Sequence, residues 1–380
     1  MSNVSSSNGL EKCPKLRFKG FSEPWVVMKL SDYSAFLPGL TYAPTDVKND
    51  GLLVLRSSNI QNGQLSFLDN VYVDTEIVPN RIRTKEKDVL MCVRNGSKAL
   101  VGKTALITSE YADLAWGAFM TVLRPKRHNT FLFQYLNSSS FKTQVFPDLD
   151  TATVKQITMG TLNGVHIYVP SLPEQEKIAF FLQWIDARIE KQHNLIETLK
   201  KYKRGLLSTI FSKVTTFVHL KDICEYASSA KTMSQIDNTP KGAYPVYDAG
   251  GVAAFVDFYD MDTNYIAIIK DGSGVGRLQF CQAESSFIGT LGGLIPKNCS
   301  AFYLYTALQT IDFKEYVTGM AIPHIYYKDY KYAMLPYPCE KDRAKIQVIF
   351  QNLDCKITNA EMLLEKFNEM KKSLLQQLFI

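Results

Sequence analysis

PSLPEQEKIAFFLQWIDARIEKQHNLIETLKKYKRGLLSTIF, residues 170 to 211, decides the architecture, because the chain carries it twice. Residues 338 to 379, PCEKDRAKIQVIFQNLDCKITNAEMLLEKFNEMKKSLLQQLF, align with it without a gap, each position 168 residues after its counterpart. The identities include Lys177/Lys345, Gln183/Gln351, Asp186/Asp354, Leu195/Leu363, Glu197/Glu365, Lys203/Lys371, Leu206/Leu374, Leu207/Leu375 and Phe211/Phe379. Both stretches read as long helices. Apolar residues recur at alternating steps of four and three: Ile178, Leu182, Ile185, Ile189, Ile196, Leu199, Leu206 and Ile210 in the first copy. The second copy gives Ile346, Phe350, Leu353, Ile357, Leu364, Phe367, Leu374 and Leu378. That spacing is a heptad-like seam. It breaks at matching places, Gln192/Ala360 and Lys203/Lys371. Matched breaks favour helices that pair with each other over two amphipathic helices each packed within its own domain. Pro173 suits a first helical turn, Glu174 and Glu176 suit a helix N-terminus, and Lys200, Lys201, Lys203 and Arg204 suit the C-terminal half.

A repeat at this distance is too wide for a solenoid period. It implies a duplicated unit of one domain plus one long helix, arranged about a pseudo-two-fold axis. Working outward from the helices, residues 25–170 show short β-rich runs: Gly51–Arg56, Asp88–Val93, Lys103–Ile107, Phe119–Leu123 and Val165–Val169. Turn signals at Asp50-Gly51, Asn62-Gly63 and Asn95-Gly96 punctuate them, and Phe131–Leu136 and Ser140–Val145 read as short helices. Residues 214–337 repeat this order in compressed form. Lys29-Leu-Ser-Asp32 echoes His219-Leu-Lys-Asp222, residues 89–107 echo 266–280, and residues 115–126 echo 287–298. The expected organisation is a leader and lead-in segment (1–24), a first domain (25–170), a first helix (171–213), a second domain (214–337) and a second helix (338–380). The leader MSNVSSSNGLEK lacks an apolar signal core and reads as a short disordered stretch. The expected fold class is α+β, two related α/β domains joined by two long helices forming an antiparallel coiled coil.

With 380 residues, 46% hydrophobic and 12% aromatic, the chain has enough apolar material for two cores. A net charge of +6 permits nucleic-acid binding without requiring it. Basic residues cluster at Arg81, Arg83, Lys85 and Lys87, and at Arg124, Lys126, Arg127 and His128. The seven cysteines are scattered with no C-x-x-C pair, which indicates neither a zinc site nor a disulfide framework and fits a cytoplasmic protein. No run has the apolar length of a membrane span.

Motifs for catalysis fail on inspection. Gly96-Ser-Lys-Ala-Leu-Val-Gly102-Lys103-Thr104 resembles a phosphate-binding loop. Five residues separate its glycines where the motif has four, and a strand-like run follows instead of a helix. Gly272-Ser-Gly274-Val-Gly276 lacks a βαβ context. No Asn/Asp-Pro-Pro-aromatic tetrapeptide, no D-E-x-D box and no convincing carboxylate cluster occur. The five histidines lie far apart. No catalytic residue and no metal ligand is assigned, and Pro147-Asp148-Leu149-Asp150 reads as a turn.

PKLRF…EPW (14–25), IYVPSLPEQEKIAFFLQWIDARI (167–189) with its repeat, and lysine-rich helix ends closing on Leu-Leu-x-x-Ile/Leu-Phe resemble the specificity subunit of type I restriction–modification systems. The second copy departs at its start, PYPCEKDR in place of PSLPEQEK. The resemblance implies two target recognition domains that each read half of a bipartite, asymmetric double-stranded DNA site, with the helices as spacer. It implies two methyltransferase subunits and motor-nuclease subunits as partners. S-adenosylmethionine, ATP and magnesium would then belong to those partners, with none in this chain.

Base edges are read by Arg, Asn, Gln, Ser and Thr, and phosphates are held by Lys, Arg and small polar groups. Turns between strands supply the DNA-binding candidates: Arg56, Ser57, Asn59, Arg94, Asn95, Ser97, Lys98, Lys103 and Lys155, then Lys270, Asp271, Ser273, Arg277, His324, Tyr326 and Lys328. An ordinary surface or structural role stays open for each. Trp116, Tyr247 and Tyr265 read as core. Two other functions compete: a stand-alone nucleotide-dependent or methyl-transferring enzyme, and a coiled-coil adaptor that does not bind DNA.

Overall fold

Val89–Cys92 and Tyr265–Ile269 are apolar at every position, the pattern of strands covered on both faces. Each is an inner strand of a four-stranded antiparallel sheet in the computed structural model, which describes residues 2–3, 13–127, 130–146, 156–272, 274–319 and 322–380. The first sheet runs Thr104–Leu106, Val89–Cys92, Met120–Pro125, Ser34–Pro38. The second runs Leu278–Cys281, Tyr265–Ile269, Leu291–Pro296, Cys224–Ser228, the same order. Side chains alternate between the two faces. Val89 and Met91 enter one core while Leu90 and Cys92 enter another. Likewise Ile266 and Ile268 separate from Tyr265, Ala267 and Ile269.

The duplication extends further. A parallel pairing joins Ala115–Trp116 to Leu52–Leu55, and a parallel pairing joins Ser286–Phe287 to Lys241–Asp248. One strand pair connects the start of each domain to its end: Val26–Lys29 with His166–Val169, and Phe217–His219 with Met334–Pro336. The short helices lie at Phe131–Leu136 and Ser139–Val145 in the first domain, and at Ala301–Leu308 in the second. Trp116, Tyr247 and Tyr265 are core residues. The leader residues 1 and 4–12 and the 147–150 turn lie outside the described residues.

The long helices span Leu172–Phe211 and Glu340–Leu378, 40 and 39 residues. By compactness the chain divides into Met1–Gln192 with Leu363–Ile380, and His193–Met362, so each helix lends one stretch to each unit. In the first unit Ile178, Leu182 and Ile185 share a core with Leu375, Leu378 and Phe379. In the second, Phe211 shares a core with Ile346 and Phe350. All sixteen seam residues are buried or half-buried. The helix ends thus serve the domain cores as well as the seam.

The seam lysines have partners. Lys371 Nζ meets Asp186 at 2.5 Å in the first unit, and Lys203 Nζ meets Asp354 at 2.5 Å in the second. Each of the four residues has its repeat counterpart in the other pair, so the duplication extends to the ion pairs. The first unit also pairs Arg188 with Phe367, and the second pairs Lys200 with Glu361, so the helices run antiparallel within each unit. Asp354→Lys should therefore destabilise by about 1 kcal/mol, and adding Lys203→Asp should restore much of the loss. Denaturant unfolding of the four members of the cycle measures this; strictly additive effects would show that the pair contributes nothing.

Candidate nucleic-acid interface

Just beyond each inner strand the chain crosses a distant segment. Val93 and Arg94 donate their backbone N–H groups to Phe119 O (3.0 and 3.2 Å), and Ile157 N donates to Val93 O at 2.7 Å. This forms a bridge between Arg94 and Gln156. In the second unit Lys270 N donates to Thr290 O (2.9 Å), Ile325 N donates to Lys270 O (3.0 Å), and the bridge joins Asp271 to His324. The hairpin that follows is also shared. Cys92 N donates to Lys103 O and Gly102 N to Cys92 O; Ile269 N donates to Arg277 O and Gly276 N to Ile269 O. Gly102 and Gly276 sit at φ +85° and +83°, where a side chain is strained. Lys103 and Arg277 are equivalent, exposed and basic.

The candidates gather around these crossings. Arg94 is exposed, its guanidinium 5.4 Å from the ring centroid of Phe119. Asn95 donates to Ser57 Oγ at 2.9 Å and accepts from Ser97 N at 2.9 Å, tying two turns together. Lys98 is exposed beside them. Arg56 is half-buried and paired with Asp69 at 2.8 Å. In the second unit the His324 and Tyr326 rings lie 4.7 Å apart, and Lys328 Nζ lies 5.2 Å from the Tyr326 ring. Arg277 donates to Ala249 O, and Lys270 is half-buried.

Asn59 needs correction as a reader of bases. It is wholly buried: its amide donates to Ser66 O (2.9 Å) and Asp69 O (3.3 Å), and its carbonyl accepts from Arg56 N (2.9 Å). Its polar atoms hold the turn together and none is left for a base. Lys155 and Ser273 lie outside the described residues. Sequence reasoning missed Gln156, Phe119 and Thr290, all exposed at the crossings. Gln156 could have been found, since it lies 168 residues before His324.

The basic clusters are partly tied up within the fold. Arg124 grips Asp88 through two nitrogens at 2.7 and 2.8 Å, Arg83 meets Asp113 at 3.3 Å, and Lys126 donates to Ser31 O. His128 lies outside the described residues. After the loop that resembles a phosphate site comes the strand Thr104–Leu106, so no helix N-terminus faces it.

The family described as "Type I restriction modification DNA specificity domain" matches residues 22–201 and again 213–367. The chain belongs to this family. Over 195 residues it is 27% identical to the type I restriction enzyme EcoKI specificity subunit of Escherichia coli (strain K12), covering 49% of this chain and 42% of that one. Over 204 residues it is 26% identical to the StySPI specificity subunit of Salmonella potsdam, covering 51% and 44%. The chain thus spans less than half the length of these relatives. The crystal structure of a type I restriction-modification S subunit from M. genitalium superimposes with a TM-score of 0.64, covering 97% of this chain and 99% of that one at 18% identity. That likeness concerns the fold.

Within this specificity-domain protein the lead-in segment explains part of the PEQE motif. Arg17 forms a two-nitrogen pair with Glu174, both contacts 2.8 Å and both residues buried. Tyr33 donates to Gln175 Oε1 at 2.7 Å, and Gln175 donates to Pro170 O at 2.8 Å. In the second copy Arg343 takes the place of Gln175 and donates to Pro338 O at 2.9 Å, the equivalent carbonyl. Asp342 replaces Glu174 and is drawn below its usual carboxylate range by a hydrogen bond from Lys345.

Three of the cysteines are chemically quiet. Burial pushes the Cys224 and Cys299 thiols up to about 11 and Cys281 up to about 12. At neutral pH these remain protonated, and the thiolate is the nucleophile. Among the described residues no group of acidic, cysteine or histidine side chains could hold a metal, and no helix is long and apolar enough to cross a membrane.

Proposed function

We propose that this chain reads DNA for a cytoplasmic type I restriction–modification assembly, one half-site per unit, and leaves catalysis to other subunits. One observation carries the reading: the same crossing is built twice, with different polar side chains on it. Arg94 and Gln156 stand where the second unit has Asp271 and His324. A shared frame with unlike polar groups suits a target whose halves differ in sequence.

The helices support the choice of partners. Phe180/Val348, Leu195/Leu363 and Tyr202/Met370 are exposed apolar or aromatic residues at repeat-equivalent positions. Their repetition at equivalent positions fits two copies of one partner, the methyltransferase subunit. S-adenosylmethionine would sit on those subunits, and ATP and magnesium on the methyltransferase or motor-nuclease partners. Mass measurement of the co-purified complex should give two methyltransferase copies per chain; a 1:1 complex with full methylation activity would contradict this.

Modularity gives the direct test. Exchanging residues 25–170 for the corresponding domain of a relative should change one half of the methylated site and leave the other. Mapping methylated bases in cells that express the hybrid with its methyltransferase reads this out. Change in both halves, or in neither when the complex is folded and active, would overturn the two-reader function.

A further inference from the structure

The crossing described above separates two tasks that a DNA reader must perform, and the reading here rests on the proposed DNA-binding function. Three side chains leave the crossing in each unit: Arg94, Gln156 and Phe119 in the first, Asp271, His324 and Thr290 in the second. Their backbones are locked to the sheet by equivalent hydrogen bonds. Their side chains differ completely in chemistry. The basic residue after the left-handed glycine, by contrast, is basic in both units, Lys103 and Arg277. A position that holds phosphate needs the same charge whatever the sequence, whereas a position that chooses bases must differ between two unlike half-sites.

We infer that these crossing positions select bases, and that Lys103 and Arg277 are their phosphate anchors. The chemistry can be committed further. Arg94, held over the Phe119 ring, presents a guanidinium fork suited to the O6 and N7 acceptors of guanine. Gln156, one bridge away, suits the N6 and N7 edge of adenine. Asp271 has only acceptors and suits an exocyclic amino group, as on cytosine. The first unit therefore reads a purine-rich strand, Arg94 by donating and Gln156 by accepting from N6 and donating to N7, and the second requires an amino group in the major groove.

The test is selection of the purified full chain on a pool of randomised duplexes. The native chain should enrich two separate half-sites. Arg94→Ala should relax one guanine position in one half only, with preference there falling about ten- to a hundred-fold. Asp271→Asn, which keeps the shape of the side chain and so the fold, should change preference in the other half only. Lys103→Ala should weaken binding to all sequences alike and lower the salt dependence by about one counterion. If the native chain enriches nothing, the DNA-reading function itself fails, and this inference with it. If it enriches two half-sites while Arg94→Ala, Gln156→Ala and Asp271→Asn leave both unchanged or weaken all sequences uniformly, the crossing is not the reader and only this inference is overturned.

Discussion

Replacing Phe379 by alanine should cost about 3–5 kcal/mol, the range for emptying an aromatic from a core. The residue immediately follows the second long helix. Here it is buried, its ring 5.3 Å from Phe131 and 6.1 Å from Tyr135, with Leu375 and Leu378 in the same core. Its repeat counterpart Phe211 meets Tyr303 at 6.5 Å in the second unit, and Tyr303 is itself the counterpart of Tyr135. Both tyrosines donate their hydroxyls to a carbonyl of the closing strand pair, His166 O at 2.8 Å and Pro336 O at 2.6 Å. Trp25, Trp116 and Trp184 are the chain's three tryptophans and all belong to the first unit, so tryptophan fluorescence reports that unit alone. Phe379→Ala should move the fluorescence-detected denaturation midpoint strongly, although it lies 354 positions after Trp25. Phe211→Ala, in the unit without tryptophan, should move it less. A shift for Phe379→Ala of the size seen for surface substitutions, within about 0.5 kcal/mol, would mean that the helix end does not belong to this core.

The two-copy architecture was legible because helix periodicity and the gapless repeat are local, redundant signals. The matched seam breaks at Lys203 and Lys371 were visible, and so were the matched aspartates 186 and 354. That they meet is a fact of antiparallel pairing, which a linear alignment displays only once a register is chosen. The inner strands were legible too, since a strand covered on both faces has no polar alternation to obscure it. The candidate site was less so. Asn59 has the residue type of a base reader, yet its neighbours in the fold satisfy every polar atom, and composition carries no trace of that. Phe119, Gln156 and Thr290 were missed for the converse reason. Arg94 and Gln156 are joined by a bridge across 62 residues of chain, and no window of sequence contains both. The lead-in segment illustrates the same limit. Glu174 reads as a helix N-terminal acid, and it does lie in the first turn. Its principal partner, Arg17, sits 157 positions earlier.

That pair supports the second large prediction. Arg17 and Glu174 are both almost fully buried, and two nitrogens face two carboxylate oxygens at 2.8 Å. The same guanidinium donates to Glu23 O at 2.5 Å, so it ties the lead-in segment to the long helix. Removing one member of a buried pair strands the other charge without water, at about 3–5 kcal/mol. Arg17→Ala should therefore destabilise the first unit by that order, again read by tryptophan fluorescence. Removing both charges behaves differently, because neither then needs solvation, and replacement of a buried pair by apolar residues is often neutral. Arg17→Met with Glu174→Met should thus recover much of the loss of either single change. The second copy fits this reasoning. Arg17 has no counterpart there, and the position of Glu174 is taken by Asp342, which reaches solvent and pairs with Lys345 at 2.9 Å. A buried acid at that position would have nothing to neutralise it. If Arg17→Ala costs less than about 1 kcal/mol, the value of an exposed pair, water reaches Glu174 in the folded chain. The lead-in segment would then be an appendage of the first unit, not part of its frame.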